Sequence, residues 1–229
     1  MKSILARGGI EFLAVFLGLG LTLWVENIQS TSKRVDDNNR ILQNLYENLE
    51  LDSTDAEWNM DAYKVSYDGA ERVLQWCFSQ QPSNDSMNVY ISRLAITIIL
   101  LNNSEEYNSL KSSGNLNLIK DSELIRRLHS YYSMIDFVKQ VDEMKMKKVN
   151  EQFLPFMRNY CNLYGWNPDI NVYKNFFPSF NLISNPPREK LSYFASQYMG
   201  HNIHAYNTYK DIVKRVSELR KLIRKEIST

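Results

Sequence analysis

The residues of this 229-residue chain whose types and spacing could do chemistry are few: three histidines, two cysteines and one glutamate inside an apolar run. His201 and His204 stand three apart on an expected helix and could share a metal ion, but no third ligand is indicated nearby. Two surface or half-buried histidines are the simpler reading, and His129 stands alone. Cys77 and Cys161 could pair in an oxidising compartment or stay as buried thiols, and no Cys/His spacing suggests zinc. Acidic pairs such as Asp36-Asp37 and Glu105-Glu106 read as solvated face and helix cap. The sequence has no Gly-rich phosphate loop, no GxSxG and no HExxH. No catalytic, cofactor or metal residue is assigned and an enzyme is not expected. A hydrolase with dispersed residues stays invisible to motif reading.

Glu11 is the exception, because of where it lies. From residue 8 to residue 25 it is the only ionisable side chain. At 1.5 Å per residue that run covers about 27 Å, close to the hydrocarbon core of a bilayer. The expectation is a transmembrane helix over residues 8–27, a short cytoplasmic head over 1–7 and a helical-bundle soluble domain over 28–229. A cleaved signal peptide is the competing reading, but no small-residue cleavage site follows the run. Trp24 sits where an interfacial aromatic belongs. Glu11 either pairs with Arg7 one turn earlier at headgroup level or lines an intramembrane site for an ion or proton. Gly18 and Gly20 lack GxxxG spacing and are weak signals for helix association. The basic residues flanking the run are nearly balanced; the expected orientation puts the large domain outside a bacterial inner membrane, in the periplasm.

The elements beyond the run read as an elongated all-α domain. Ile28, Val35, Leu42, Leu45 and Leu49 keep helical spacing with no Gly or Pro break, so one rod is expected to continue from the span. Asp52-Ser53-Thr54-Asp55 could cap a second helix carrying Tyr63, Tyr67, Ala70, Val73, Leu74 and Cys77. Residues 81–85 form a loop, and residues 87–101 are read as a buried helix despite their β-branched content. A short helix ends at Gly114, and Asp121-Ser122 restarts a long one over 123–160, with Leu124, Leu128, Tyr131, Ile135, Val138, Val141 and Val149 inside and Pro155 disturbing it. Residues 165–187 are irregular. Trp166, Phe176, Phe177 and Phe180 there either fold down as a lid or form an exposed interaction patch. A last helix over 188–227 carries Ile212, Val216, Leu219, Ile223 and Ile227 as a core or coiled-coil seam, and its basic face reads as solvated.

Lys+Arg 27 against Asp+Glu 26 leaves a net charge of +1, with no global field to gather nucleic acid. Eight glycines and six prolines suit long helices better than a turn-rich β fold.

Two stretches carry a family likeness. Gly9-Ile10-Glu11 leads through the apolar run to Trp24-Val25-Glu26-Asn27, and Glu106-Tyr107-Asn108-Ser109-Leu110-Lys111-Ser112-Ser113-Gly114-Asn115-Leu116-Asn117-Leu118-Ile119 follows later. Together they resemble an uncharacterised family of small single-pass membrane proteins of Bacteroidota, a domain of unknown function (DUF6090). That family places a Gly-Glu-Ile-like start before its span, where this chain has Gly-Ile-Glu. The resemblance implies a membrane anchor and brings no catalytic residues or cofactor. Read without it, Gly114 permits a tight helix–turn–helix corner. Asp85-Ser86-Met87, in an expected loop, is similar to the O-glycosylation acceptor pattern of exported proteins of the same phylum.

The expected function is that of a non-enzymatic, membrane-anchored helical module that senses, scaffolds or assembles with other chains at the inner membrane. Its expected partners are membrane lipid and a second copy or another membrane protein. The alternative is an oligomeric transmembrane component with Glu11 at an ion or proton site.

Overall fold

The fold is taken from a computed structural model, which describes the backbone of residues 2–79, 81–164 and 179–228. Side chains are described for these except residues 2–14, 31, 85, 163, 164 and 179. The chain is mostly helical, as expected: α1 (Lys2–Phe78), α2 (Asp85–Leu94), α3 (Glu105–Ser112), α4 (Ser122–Lys148), α5 (Leu154–Met157) and α6 (Arg188–Ile227). A short antiparallel ribbon, β1 (Cys161–Tyr164) with β2 (Ser179–Leu182), was not anticipated.

Three helices make the bundle because each buries side chains alternately three and four residues apart. On α1 the buried seam runs Leu42, Leu45, Leu49, Asp52, Ala56, Asn59, Tyr63, Ser66, Ala70, Val73; on α4 it runs Leu124, Leu128, Tyr131, Ile135, Val138, Asp142, Lys145, and Val149 continues it just past the helix. On α6 the expected seam through Ile212, Val216, Leu219 and Ile223 begins earlier, at Leu191, Ala195, Tyr198, Asn202, Ala205 and Tyr209, while Ile227 is only half-buried. A repeat of 3.5 residues keeps all three seams facing one axis.

Contacts across the axis give the topology. Asp52 meets Tyr131, Tyr63 meets Asp142 and Ser66 meets Lys145, each pair 79 residues apart, so α1 and α4 run parallel in fixed register. On α6, Arg220 reaches Glu50 and Asn202 reaches Ser66, so α6 runs against both. Parallel neighbours need a long crossover, and residues between α1 and α4 supply it.

That crossover corrects the expectation of a buried helix over residues 87–101. α2 stops at Leu94 and the chain continues extended, burying Ile96, Ile98 and Leu100 while exposing Ile99 and Leu101. The reason is reach. The Arg93 carbonyl accepts from Ser66 and the Leu101 N–H donates to Asp55. About eight crossover residues must cover the rise of about eleven residues of α1, roughly 16 Å; a helix would reach about 12 Å and an extended chain about 26 Å. Gly69 lets α2 lie close to α1: a Cβ there would stand 2.5 Å from Arg93 Cβ.

One further correction concerns α1, and of the two readings of the irregular stretch its last aromatic follows the folded-down one. Asp52-Ser53-Thr54-Asp55 caps nothing on α1, which runs unbroken to Phe78; Asp52 and Asp55 face the crossover instead. Phe180 is buried at 3% exposure against Phe153, so it packs into the bundle and is not an exposed contact residue. Other expectations hold locally. Gly114 takes φ +72 after α3, and Asp121 caps α4 by accepting from the N–H groups of Glu123 and Leu124. Pro155, lacking an N–H and crowding the preceding turn, follows a π-helical turn over Val149–Phe153.

α1 also carries the apolar run. Val15, Phe16, Leu17, Leu19, Leu21, Leu23 and Trp24 are each about 60% exposed, and Ile28 and Val35 remain exposed before the bundle begins near Asn38. Among the described residues no helix is long and apolar enough to cross a membrane. The span expected over residues 8–27 gains no support from that finding, and the side chains of its first part lie outside the described residues.

Candidate functional site

The unusual feature of this bundle is the polar content of its seams. Asn59, Ser66, Asp142, Lys145 and Asn202 are all at most 2% exposed at positions where a helical bundle normally places Leu or Ile. Asp52, also fully buried, lies eleven residues before Tyr63 on α1.

The central layer is a carboxylate between two phenols. Tyr63 of α1 donates to Asp142 Oδ1 at 2.5 Å and Tyr209 of α6 donates to Asp142 Oδ2 at 2.5 Å. The Leu100 N–H supplies a further backbone hydrogen bond. With both oxygens accepting, the geometry is that of an ionised carboxylate. Burial nevertheless raises the Asp142 pKa, opposed by the hydrogen bonds of Tyr209 and Tyr63 and by the Lys145 charge. Burial, then the Asp142 charge, pushes both tyrosines up.

One turn along lies a layer built on an amine. Lys145 Nζ donates to Asn202 Oδ1 at 2.6 Å and to Ser66 Oγ at 3.4 Å, and Asn202 Nδ2 donates to Ser66 Oγ at 2.8 Å. The ammonium stands 4.8 Å from the Tyr63 ring centroid and 5.9 Å from that of Tyr198. Burial lowers the Lys145 pKa to about 7, the Asp142 charge opposing. His201, stacked obliquely 5.8 Å from Tyr63, falls to about 4, first through burial and then through the Lys145 charge.

Nearer the start of the α1 seam the crossover meets two more aspartates. Asp52 accepts from the Asn103 N–H at 3.1 Å and from Tyr131 at 3.0 Å; Asp55 accepts from the Leu101 N–H and from Asn59, both at 3.0 Å. Burial raises Asp52 to about 6 against those two hydrogen bonds. An extended segment laid against helices has no strand to pair with, and here three carboxylates stand where a strand's carbonyls would.

The arrangement specifies register. Sliding α1 by one heptad would bring Ala56 or Ala70 to the place of Tyr63, leaving Asp142 short of a donor. An unpaired buried charge costs roughly 3–5 kcal/mol. Lys145 is enclosed by its partners, and among the described residues no nucleophile–base pair is assembled around it.

The residues singled out from sequence lie elsewhere. The Glu11 side chain, Trp166, Phe176 and Phe177 fall outside the described residues. His129 bonds the Tyr107 hydroxyl at 2.5 Å, His204 is exposed, and Cys77 and Cys161 are free thiols, the latter buried. Among the described residues no group of three or more His, Cys, Asp or Glu could hold a metal. Sequence reading placed Val141 in the core and passed over its neighbour Asp142, yet Val141 is only half-buried. The available signal was polar residues recurring in step with the seam: Asp52, Asn59 and Ser66 are seven apart, and Asp142 and Lys145 continue the α4 repeat. Compared with known proteins, the chain matches no family model, no curated protein and no solved structure.

Proposed function

We propose that the chain is a non-enzymatic, single-anchor module that holds a rigid three-helix bundle off the outer face of a bacterial inner membrane, where it scaffolds or senses through other chains. One observation carries this reading: a single helix, α1, is apolar on every described face over residues 15–25 and then becomes a bundle strut from Leu42 onward. A helix apolar all round needs an apolar surrounding on all sides. Leaving these side chains in water forgoes burial worth on the order of 10 kcal/mol. Glu11, at the start of that run, is read as lying at headgroup level. The likeness to a family of single-pass proteins points the same way.

Fractionation tests the anchor. The full chain should stay with membranes through an alkaline carbonate wash and come into solution only with detergent. Recovery in the aqueous phase without detergent overturns the reading. Protease added to spheroplasts should digest the bundle; full protection would place it on the other side.

A further inference from the structure

Where α4 lies beside α6 the bundle presents a long groove whose exposed side chains carry no charge over its middle. On α4, Phe137, Val141 and Met144 recur at helical spacing, each one position ahead of the buried seam. Phe137 is 55% and Met144 61% exposed, and Val141 is half-buried between them. Across the groove α6 has no Asp, Glu, Lys or Arg from Leu191 to Tyr209, in a chain that is 23% charged. Asp142 and Lys145 lie beneath, buried and engaged by partners within the bundle. Charge returns only at the ends: Arg126, Lys214 and Arg215 with Asp211 and Glu218 at one, Lys148 at the other.

An uncharged, partly apolar centre inside a charged rim is the pattern of a protein interface. Gly200 points the same way. It is exposed in the middle of α6, and a Cβ there would meet nothing within 4 Å. It stands three residues after Gln197 and four before His204, which both line the groove, so it shares their face. Glycine weakens a helix interior. Gly69 offsets that by making room for α2, whereas Gly200 makes room for nothing among the described residues. Bare backbone on that face lets a helix from outside come close.

We propose that this face pairs with the same face of a second copy of the chain, across a two-fold axis running along the bundle. Phe137 and Val141 stand level with Thr208 and His204, and Met144 stands level with Gln197. Since α4 and α6 run in opposite directions, that axis lays α4 of each copy antiparallel to α6 of the other at matching levels, closing a four-helix ring. Phe137 of one copy then meets the His204 level of the other, and Met144 meets the Gly200 level. A face without charge can meet itself with no like-charge repulsion, which a general charged surface cannot. From Arg126 to Lys148 it is about 33 Å long and about 20 Å wide. That is roughly 650 Å² on each copy, near the ~800 Å² of a standard interface and suited to a reversible dimer. Both copies of α1 leave in the same direction, so both can enter one membrane; this direction alone rests on the anchor reading.

The test is sedimentation of the full chain in density-matched detergent from about 1 to 200 μM. The protein mass should rise from one chain to two across that range. Phe137→Glu and Gly200→Arg, both at exposed positions, should each weaken the dimer at least tenfold while leaving the helical content intact. Val89→Glu, at a 52% exposed site on α2, should leave it unchanged. Oxidising a mixture of Phe137→Cys and His204→Cys chains should link the two variants to each other more readily than to themselves. A monomer at every concentration overturns the proposal and leaves the face to a different protein. A dimer that persists in both Phe137→Glu and Gly200→Arg overturns it too, because association then belongs to the anchor, and preferential self-linking overturns the two-fold arrangement.

Discussion

Tyr63 on α1 donates its phenolic proton to Asp142 on α4 at 2.5 Å, across the 79-residue separation that also relates Asp52 to Tyr131 and Ser66 to Lys145. A constant offset along two helices is what parallel struts in fixed register require. The polar pairs are therefore the marks of alignment between α1 and α4, and Tyr209 ties α6 to the same carboxylate.

Removing one donor and removing both should differ in cost. Tyr63→Phe leaves Asp142 with Tyr209 and the Leu100 N–H, and should cost about 1–2 kcal/mol. Tyr63→Phe with Tyr209→Phe strands a buried carboxylate and should cost about 3–5 kcal/mol, more than the sum of the singles. Urea midpoints of the four proteins measure this; strict additivity would show that the phenols do not share Asp142.

Lys145 gives a pH dependence with a definite sign. Its folded pKa of about 7 lies below the ordinary 10.5, so between these values the unfolded chain binds more protons than the native one. Stability then rises with pH across that window and is lost as pH falls toward 7. Lys145→Met should flatten this alkaline rise. Asp52 acts oppositely in acid: its pKa is raised to about 6, so stability falls as pH climbs from about 4 to 6, while His201, lowered to about 4, offsets part of that fall. Urea unfolding of the wild type and Lys145→Met at pH 7 and pH 10 checks the first claim; an identical rise in both would refute it.

The crossover should be held by its aspartates as much as by its isoleucines. Asp55→Ala removes the acceptor of the Leu101 N–H, and that amide should lose hydrogen-exchange protection while Asn103, held by Asp52, keeps it. Asp52→Ala should reverse the pattern. Ile98→Ala, at a site 5% exposed, should cost about 2–4 kcal/mol through the cavity it leaves.

The same substitution should have opposite effects at two glycines. Gly200→Ala on α6 meets nothing within 4 Å and should stabilise by up to about 1 kcal/mol through helix propensity. Gly69→Ala puts a methyl 2.5 Å from Arg93 Cβ and 3.1 Å from the Tyr90 carbonyl oxygen, so α2 must move and stability should drop by about 1–3 kcal/mol. Thermal unfolding of both variants decides the matter, and a stabilised Gly69→Ala would mean that α2 does not pack as described.

What the sequence determined by itself is local. Leu42 to Leu49 and Ile212 to Ile223 announce their helices because apolar spacing, which needs no partner to be recognised, repeats on one side. Asp121, Gly114 and Pro155 announce a cap, a corner and a disturbed turn because each acts on its own backbone neighbours. The tertiary structure alone decided the rest. Whether Ile96 to Leu101 became helix or extended chain depended on how far α1 and α4 lie apart along the bundle, a distance no local window contains. Asp52 was read as a cap because an aspartate near serine and threonine commonly is one; its actual donors, Asn103 and Tyr131, come from distant segments. The buried Asp142–Lys145 pair was hidden for the same reason. A charge is stable inside only when partners from other helices converge on it, and convergence is a property of the folded chain.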